Sequence, residues 1–331
     1  MRGQLRFLVL LACICPSAVF GEEPEKIVKR IWFPRFSADS KLLATAHGGW
    51  DAKEGGEARI WDAASGKQKL VLKQPRGIRS VALSKDSTLL AAGGYGSTIT
   101  VYDLQSGKPI QEWKTPSGVE NLGFQPDGLH LFSALGDGSV RLWDANAGKE
   151  TQTLSGLHSG EIWGMAVSPD GTHVATSGQD LTINVTNVKT GNHPPQFPQL
   201  GSNSVAFTSD GKRLAAGGAD SLIMIYDLET GAELHKLKGH QGGKVTDLQF
   251  GANDQILACA GMDRTVQVWD LSDSQAPKLK KTLTAHQDFV FGVALSLDGK
   301  RLASAGWDDR INVWDTDSFQ EIWSWDRAAS K

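Results

Sequence analysis

Cysteine, tyrosine and methionine are scarce in this chain, with only 3, 3 and 4 copies in 331 residues. Two of the cysteines, Cys13 and Cys15, lie in the first apolar stretch, which leaves Cys259 alone beyond it. A lone cysteine excludes an intrachain disulfide framework and any paired-cysteine metal site. Excess charge is also missing: 34 Lys and Arg against 37 Asp and Glu give a net charge of −3. That balance supplies no basic field for a nucleic-acid backbone. Past the N-terminus no apolar run is long enough to span a bilayer, so no stable membrane insertion is expected. Sustained helical periodicity is absent as well. What is plentiful is glycine, at 37, and tryptophan, at 11, a pairing that predicts many tight turns around a recurrent large apolar residue.

Residues 1–21 read as a targeting segment. Arg2 and Arg6 form a positive start, Phe7 to Ile14 an apolar run, and Val19 and Gly21 the small residues before a cut. This predicts a signal peptide and an exported protein, periplasmic or secreted. The run Leu10-Leu11-Ala12-Cys13 offers a lipid anchor at Cys13 as the second reading. Residues 22–26 form a short charged lead-in, 27–325 the folded body and 326–331 a tail.

The body repeats. An aromatic-Asp pair recurs at Trp61-Asp62, Tyr102-Asp103, Trp143-Asp144, Tyr226-Asp227, Trp269-Asp270 and Trp314-Asp315, with Thr186-Asn187 in the same phase. Successive spacings of 41, 41, 43, 40, 43 and 45 residues suit a four-stranded propeller blade. Within a unit, Val290, Val293 and Leu295 alternate into Asp298-Gly299, then Arg301 to Ala305 and Ile311 to Trp314 follow. Alternation closed by Asp-Gly signals a hairpin, because that pair tolerates the positive φ of the turn. The expected fold is all-β: a single seven-bladed β-propeller of four-stranded antiparallel blades. Only charged residues precede the first strand, whereas Glu321 to Trp325 can supply the last, so blades 1 and 7 are expected to meet without exchanging a strand.

These units resemble the WD40 repeat family over residues 27–325. Gly239-His240, Asp263 and Trp269-Asp270 match its pattern, as do His286, Asp308 and Trp314-Asp315, and His158 with Asp180 matches in part. The resemblance implies a buried hydrogen-bond chain inside a complete blade. In blade 7 it would run from Trp314 through Ser304 and His286 to Asp308, and in blade 6 it would involve His240, Asp263 and Trp269 with Cys259 in the serine's place. Buried indole and imidazole groups need partners, which is the physical reason for such a chain. Serine, histidine and aspartate also compose a catalytic triad, but a nucleophile needs exposure and an oxyanion hole. Blades 1 and 2 have Gly55 and Gly96 at the aspartate position and are expected to lack the chain.

The resemblance further implies two positions per blade that face the top of the ring. On these positions the aromatic and large side chains are Trp32, Tyr95, Trp163, Met262, Phe291 and Trp307, with Arg79 beside them and Trp50 in an inserted loop of blade 1. Such a cluster has the chemistry of a protein or peptide hot spot. It equally suits a plug that seals the seam between blades 7 and 1. The expected function is a non-catalytic scaffold binding an unidentified protein or peptide, with no cofactor, no metal and no nucleic acid. Two alternatives stand beside it. One is a propeller enzyme such as a quinone-dependent dehydrogenase, suggested faintly by Asp103 to Lys108 followed by Trp113. The other is a carbohydrate-binding propeller. The sequence contains no His-Glu-x-x-His, Gly-x-Ser-x-Gly or P-loop.

Overall fold

A computed structural model of the chain describes residues 30–49, 55–192, 197–198, 202–251, 253–327 and 329. The segments 1–21 and 22–26, with Cys13, and the loop residue Trp50 lie outside the described residues. The described chain forms seven antiparallel sheets and no helix. Each sheet is one unit of the sequence repeat, with its four strands in chain order from the centre of the ring outwards. In blade 7 these are Val290–Leu295, Arg301–Gly306, Arg310–Asp315 and Glu321–Asp326. Blade 7 is therefore built from consecutive residues, and the ring closes without strand exchange. In blade 1 the innermost strand is broken into Arg30–Ile31 and Arg35–Phe36, because Pro34 has no N–H to give to the ladder.

The alternating pattern explains why the sheets stack. Each exposes an apolar face, and covering it requires a neighbour. Seven apolar clusters result, one at each junction between blades. The recurrent aromatic belongs to these junctions: Trp61 lies between blades 7 and 1, Trp143 between 2 and 3, Trp269 between 5 and 6, and Trp314 between 6 and 7. At the 2–3 junction Trp143 stacks on Trp113 with centroids 5.1 Å apart. The ring-closing junction is the most aromatic. Trp61 packs against Trp323 at 6.2 Å and Trp325 at 5.2 Å, and Trp323 Nε1 donates to Ala63 O at 3.0 Å.

Five inner strands carry a β-bulge at their first turn of ladder, at Glu120, Trp163, Asn203, Thr246 and Phe291. A bulge re-aims one side chain out of the pleat. Trp163 and Phe291, two of the positions that the resemblance singles out, are thus bulge residues.

Candidate functional site

Three blades carry a histidine–aspartate chain inside the sheet. In blade 7, His286 Nδ1 meets Asp308 Oδ1 at 3.0 Å, and Nε2 meets Ser304 Oγ at 2.6 Å and Asn312 Nδ2 at 3.0 Å. In blade 4, His158 meets Asp180 and Thr176, each at 2.8 Å. In blade 6, His240 meets Asp263 at 2.8 Å and Thr265 at 3.0 Å. The tryptophans stand apart from these chains. Trp314 lies in the apolar junction between blades 6 and 7, and the buried Trp269 Nε1 has no hydrogen-bond partner. The indole link occurs elsewhere, from Trp143 to Ser133 and from Trp61 to Thr45, both at 2.9 Å. A glycine accompanies each complete chain at Gly178, Gly261 and Gly306. A Cβ on Gly261 would sit 2.3 Å from the His240 ring, so the imidazole lies flat where only glycine leaves room.

The His286 side chain is only 1% exposed and its partner hydroxyl is fully buried. No substrate reaches Ser304, so the Ser-His-Asp composition has no catalytic access. Cys259 is buried with its thiol 3.7 Å from Gln267 O. Among the described residues no group of His, Cys, Asp and Glu is arranged to hold a metal ion. The sequon Asn184-Val-Thr186 is closed too, since Asn184 is buried and donates to Leu157 O at 2.6 Å.

His240 is pushed up to about 9. Burial works against this shift, and the contacts with Asp263 and Cys259 outweigh it. A histidine raised from 6.5 contributes fully below the unfolded value and loses that contribution as pH rises towards about 9. The unfolding free energy is therefore expected to fall by about 3 kcal/mol between roughly pH 6 and pH 9.5. In a His240→Gln variant that fall is expected to be missing, which denaturant titrations at the two pH values would show. An identical fall in the variant would contradict the assignment.

Blade 1 departs from expectation. It has its own chain, with His47 supplied by the second strand, Leu42–Gly48, instead of the preceding loop. Thr45 Oγ1 meets His47 Nε2 at 2.8 Å while also accepting from Trp61. Arg327, just past the last strand of blade 7, donates through Nη2 to His47 Nδ1 at 2.9 Å. The same guanidinium reaches Asp309 at 2.6 Å and Glu57 at 3.8 Å. This polar clasp across the seam was not legible in the sequence, because its partners lie 280 positions apart.

At the mouth of the channel the expected cluster divides into two layers. Trp32 is 0% exposed, donates to Gly48 O at 3.0 Å and stands edge-on to Phe291 at 5.2 Å. Arg79 is buried as well, with its guanidinium 4.8 Å over Trp32, 2.6 Å from the Tyr95 hydroxyl and 2.7 Å from Glu120. Burial pushes Glu120 up against the pull of Arg79, and burial likewise raises the Tyr95 hydroxyl. Trp32, Arg79 and Phe291, expected to present themselves to a partner, are buried among blades 7, 1 and 2. Above them lies a half-buried layer of Trp307, Phe289, Met262 and Tyr95. Trp307 stacks on Phe291 at 4.4 Å, and Arg30 lies 3.7 Å over its ring. Trp163 sits apart in blade 4, with its indole 3.3 Å from Glu161. Polar bulge residues bind neighbouring blades: Asn203 donates to Val245 O at 2.9 Å and Thr246 to Val290 O at 2.6 Å.

Comparison with known proteins agrees with this architecture. The family profile described as WD domain, G-beta repeat (WD40) matches residues 66–103, 107–144, 148–187, 199–227, 231–270 and 277–315. Periodic tryptophan protein 2 homolog of Mus musculus is 36% identical over 132 residues, covering 40% of this chain and 13% of that protein. Protein HIR1 of Cryptococcus neoformans is 30% identical over 200 residues, covering 51% of this chain and 22% of that protein. WD repeat-containing protein SL1-17 of Schistosoma mansoni is 33% identical over 131 residues, 38% of this chain and 43% of that protein. The chain thus spans less than half the length of each relative. These relatives overturn the expectation of export, periplasmic, secreted or lipid-anchored at Cys13: they are eukaryotic WD-repeat proteins, and none is described as exported. Six matched repeats, with a seventh blade of the same build, show that the chain belongs to the WD40 repeat family.

Proposed function

We propose that the propeller is a non-catalytic scaffold that docks a protein or peptide on the half-buried layer formed by Trp307, Phe289, Met262 and Tyr95. The observation that carries this reading is the two-layer build of the mouth. A buried base of Trp32 and Phe291 holds a partly open aromatic surface rigid, and a rigid aromatic surface loses little entropy on binding. Arg30 over Trp307 places a cation beside this surface. The triad-like residues lie sealed inside sheets, which speaks against the enzyme alternative. The relatives by name are WD-repeat proteins, HIR1 and a periodic tryptophan protein, and they favour a scaffold.

The test pairs affinity with stability. A Trp307→Ala, Met262→Ala variant removes half-buried side chains, so it is expected to melt a few degrees lower and to stay folded. It is expected to lose at least tenfold in affinity for a protein captured by the wild type. Unchanged affinity, or unfolding of the variant, would favour a purely structural seal.

A further inference from the structure

The opposite end of the channel holds a cavity of about 390 Å³. It lies on the side of the first turns in each blade, since Pro169, Ser209 and Leu297 line it. Its polar wall has more donors than the fold uses. Arg35, from the innermost strand of blade 1, spends only Nη1, on Pro34 O at 2.8 Å and Asp247 Oδ2 at 3.4 Å. Its Nε and Nη2 make no hydrogen bond among the described residues, and Arg35 lines the cavity. Gln249 uses its carbonyl to accept from Leu295 N at 2.9 Å, which leaves its amide N–H groups over.

Asn121 makes the third case. It occupies the ring position where other blades place a bridging side chain. Ser80 accepts from Leu122 N, Ser204 from Leu248 N and Asp247 from Val293 N, each from the following blade. Asn121 is 5% exposed and makes no such bridge, so its amide faces the cavity without a hydrogen-bond partner. A buried amide left without a partner is costly in a native fold, and an unmet one lining a cavity marks a place for a polar ligand.

We propose that this cavity binds a small carboxylate whose oxygens take the spare donors of Arg35, Asn121 and Gln249, with an apolar body against Met165, Phe207 and Leu297. A guanidinium fork with two amides is the chemistry that recognises a planar carboxylate. Asp247 and Asp254 line the same space, and both are already engaged, Asp247 by Ser204 at 3.0 Å and Asp254 by Ser209 at 2.6 Å. Their charge opposes any anion, and a dianion such as phosphate about twice as strongly as a monoanion. The carboxylate can belong to a free acid or to the end of a peptide.

Binding is to be measured by ligand-observed NMR on the full chain with 4-methylvalerate, the tripeptide Gly-Gly-Leu and its C-terminal amide. Saturable binding by an acid, at least tenfold tighter than by the amide, is expected. A preference for 4-methylvalerate points to a free acid, and a preference for Gly-Gly-Leu to a peptide terminus. Arg35→Gln is expected to weaken acid binding at least tenfold. Leu297 is 56% exposed, so Leu297→Glu should leave folding untouched while repelling the acid. Equal binding of acid and amide, full binding by Leu297→Glu, or no saturable binding of any probe would overturn the proposal.

Discussion

A chain ending at Phe319 is expected to lose cooperative folding and to aggregate. It lacks the outer strand of blade 7, and with it Trp323, Trp325 and Arg327. Each tryptophan is half-buried and packs on Trp61 across the closing junction. Truncating one fully buried tryptophan costs about 3–5 kcal/mol, and two half-buried ones are expected to cost about that much together. That is a large share of the roughly 5–15 kcal/mol by which an ordinary domain is stable. The same cut breaks the bond from Trp323 to Ala63 and strips Arg327 from His47 and Asp309. It also bares the strand Arg310–Asp315 as an unpaired edge, a template for pairing between chains. Size-exclusion chromatography and thermal melts check this. A monomeric truncated chain with an unchanged transition would show that the seam contributes little.

Trp32→Ala is the second large effect. The side chain is buried, gives its indole N–H to Gly48 O, and touches Phe291, Trp307, Tyr95 and the Arg79 guanidinium. Its loss opens a cavity under three blades and removes a cation–π partner from a buried charge. A destabilisation of about 4 kcal/mol follows, which lowers the melting temperature by roughly 6 °C in a domain of this size. Trp32→Phe keeps much of the packing and loses the bond to Gly48, so about half that drop is expected. A Trp32→Ala variant that melts with the wild type would sink the two-layer account of the mouth.

The repeat was legible because it is local. Spacing between aromatic-Asp pairs reports chain length per blade, and Asp-Gly turns report where strands reverse. The absence of strand exchange was legible for the same reason, as Glu321–Asp326 follows directly on its partner strand. Depth was not legible. Trp32 and Trp307 occupy equally prominent positions in the sequence, yet Trp32 is buried and Trp307 only partly so, because Phe291 and Arg79 close over Trp32 from other blades. His47 escaped notice because it enters from a strand rather than from the loop that supplies His158, His240 and His286. One signal was available: Gly178, Gly261 and Gly306 each stand two residues before the aspartate of a complete chain. The row of Ser80, Asn121, Ser204 and Asp247 had no such mark, since its meaning depends on the backbone of the next blade.

Because no sheet among the described residues borrows a strand from the far end of the chain, a growing polypeptide can complete each blade in the order of its synthesis. Slow, long-range strand pairing is thereby left out of the process. The final event is the meeting of two surfaces that already exist, tryptophan against tryptophan, with the Arg327 guanidinium arriving last on His47.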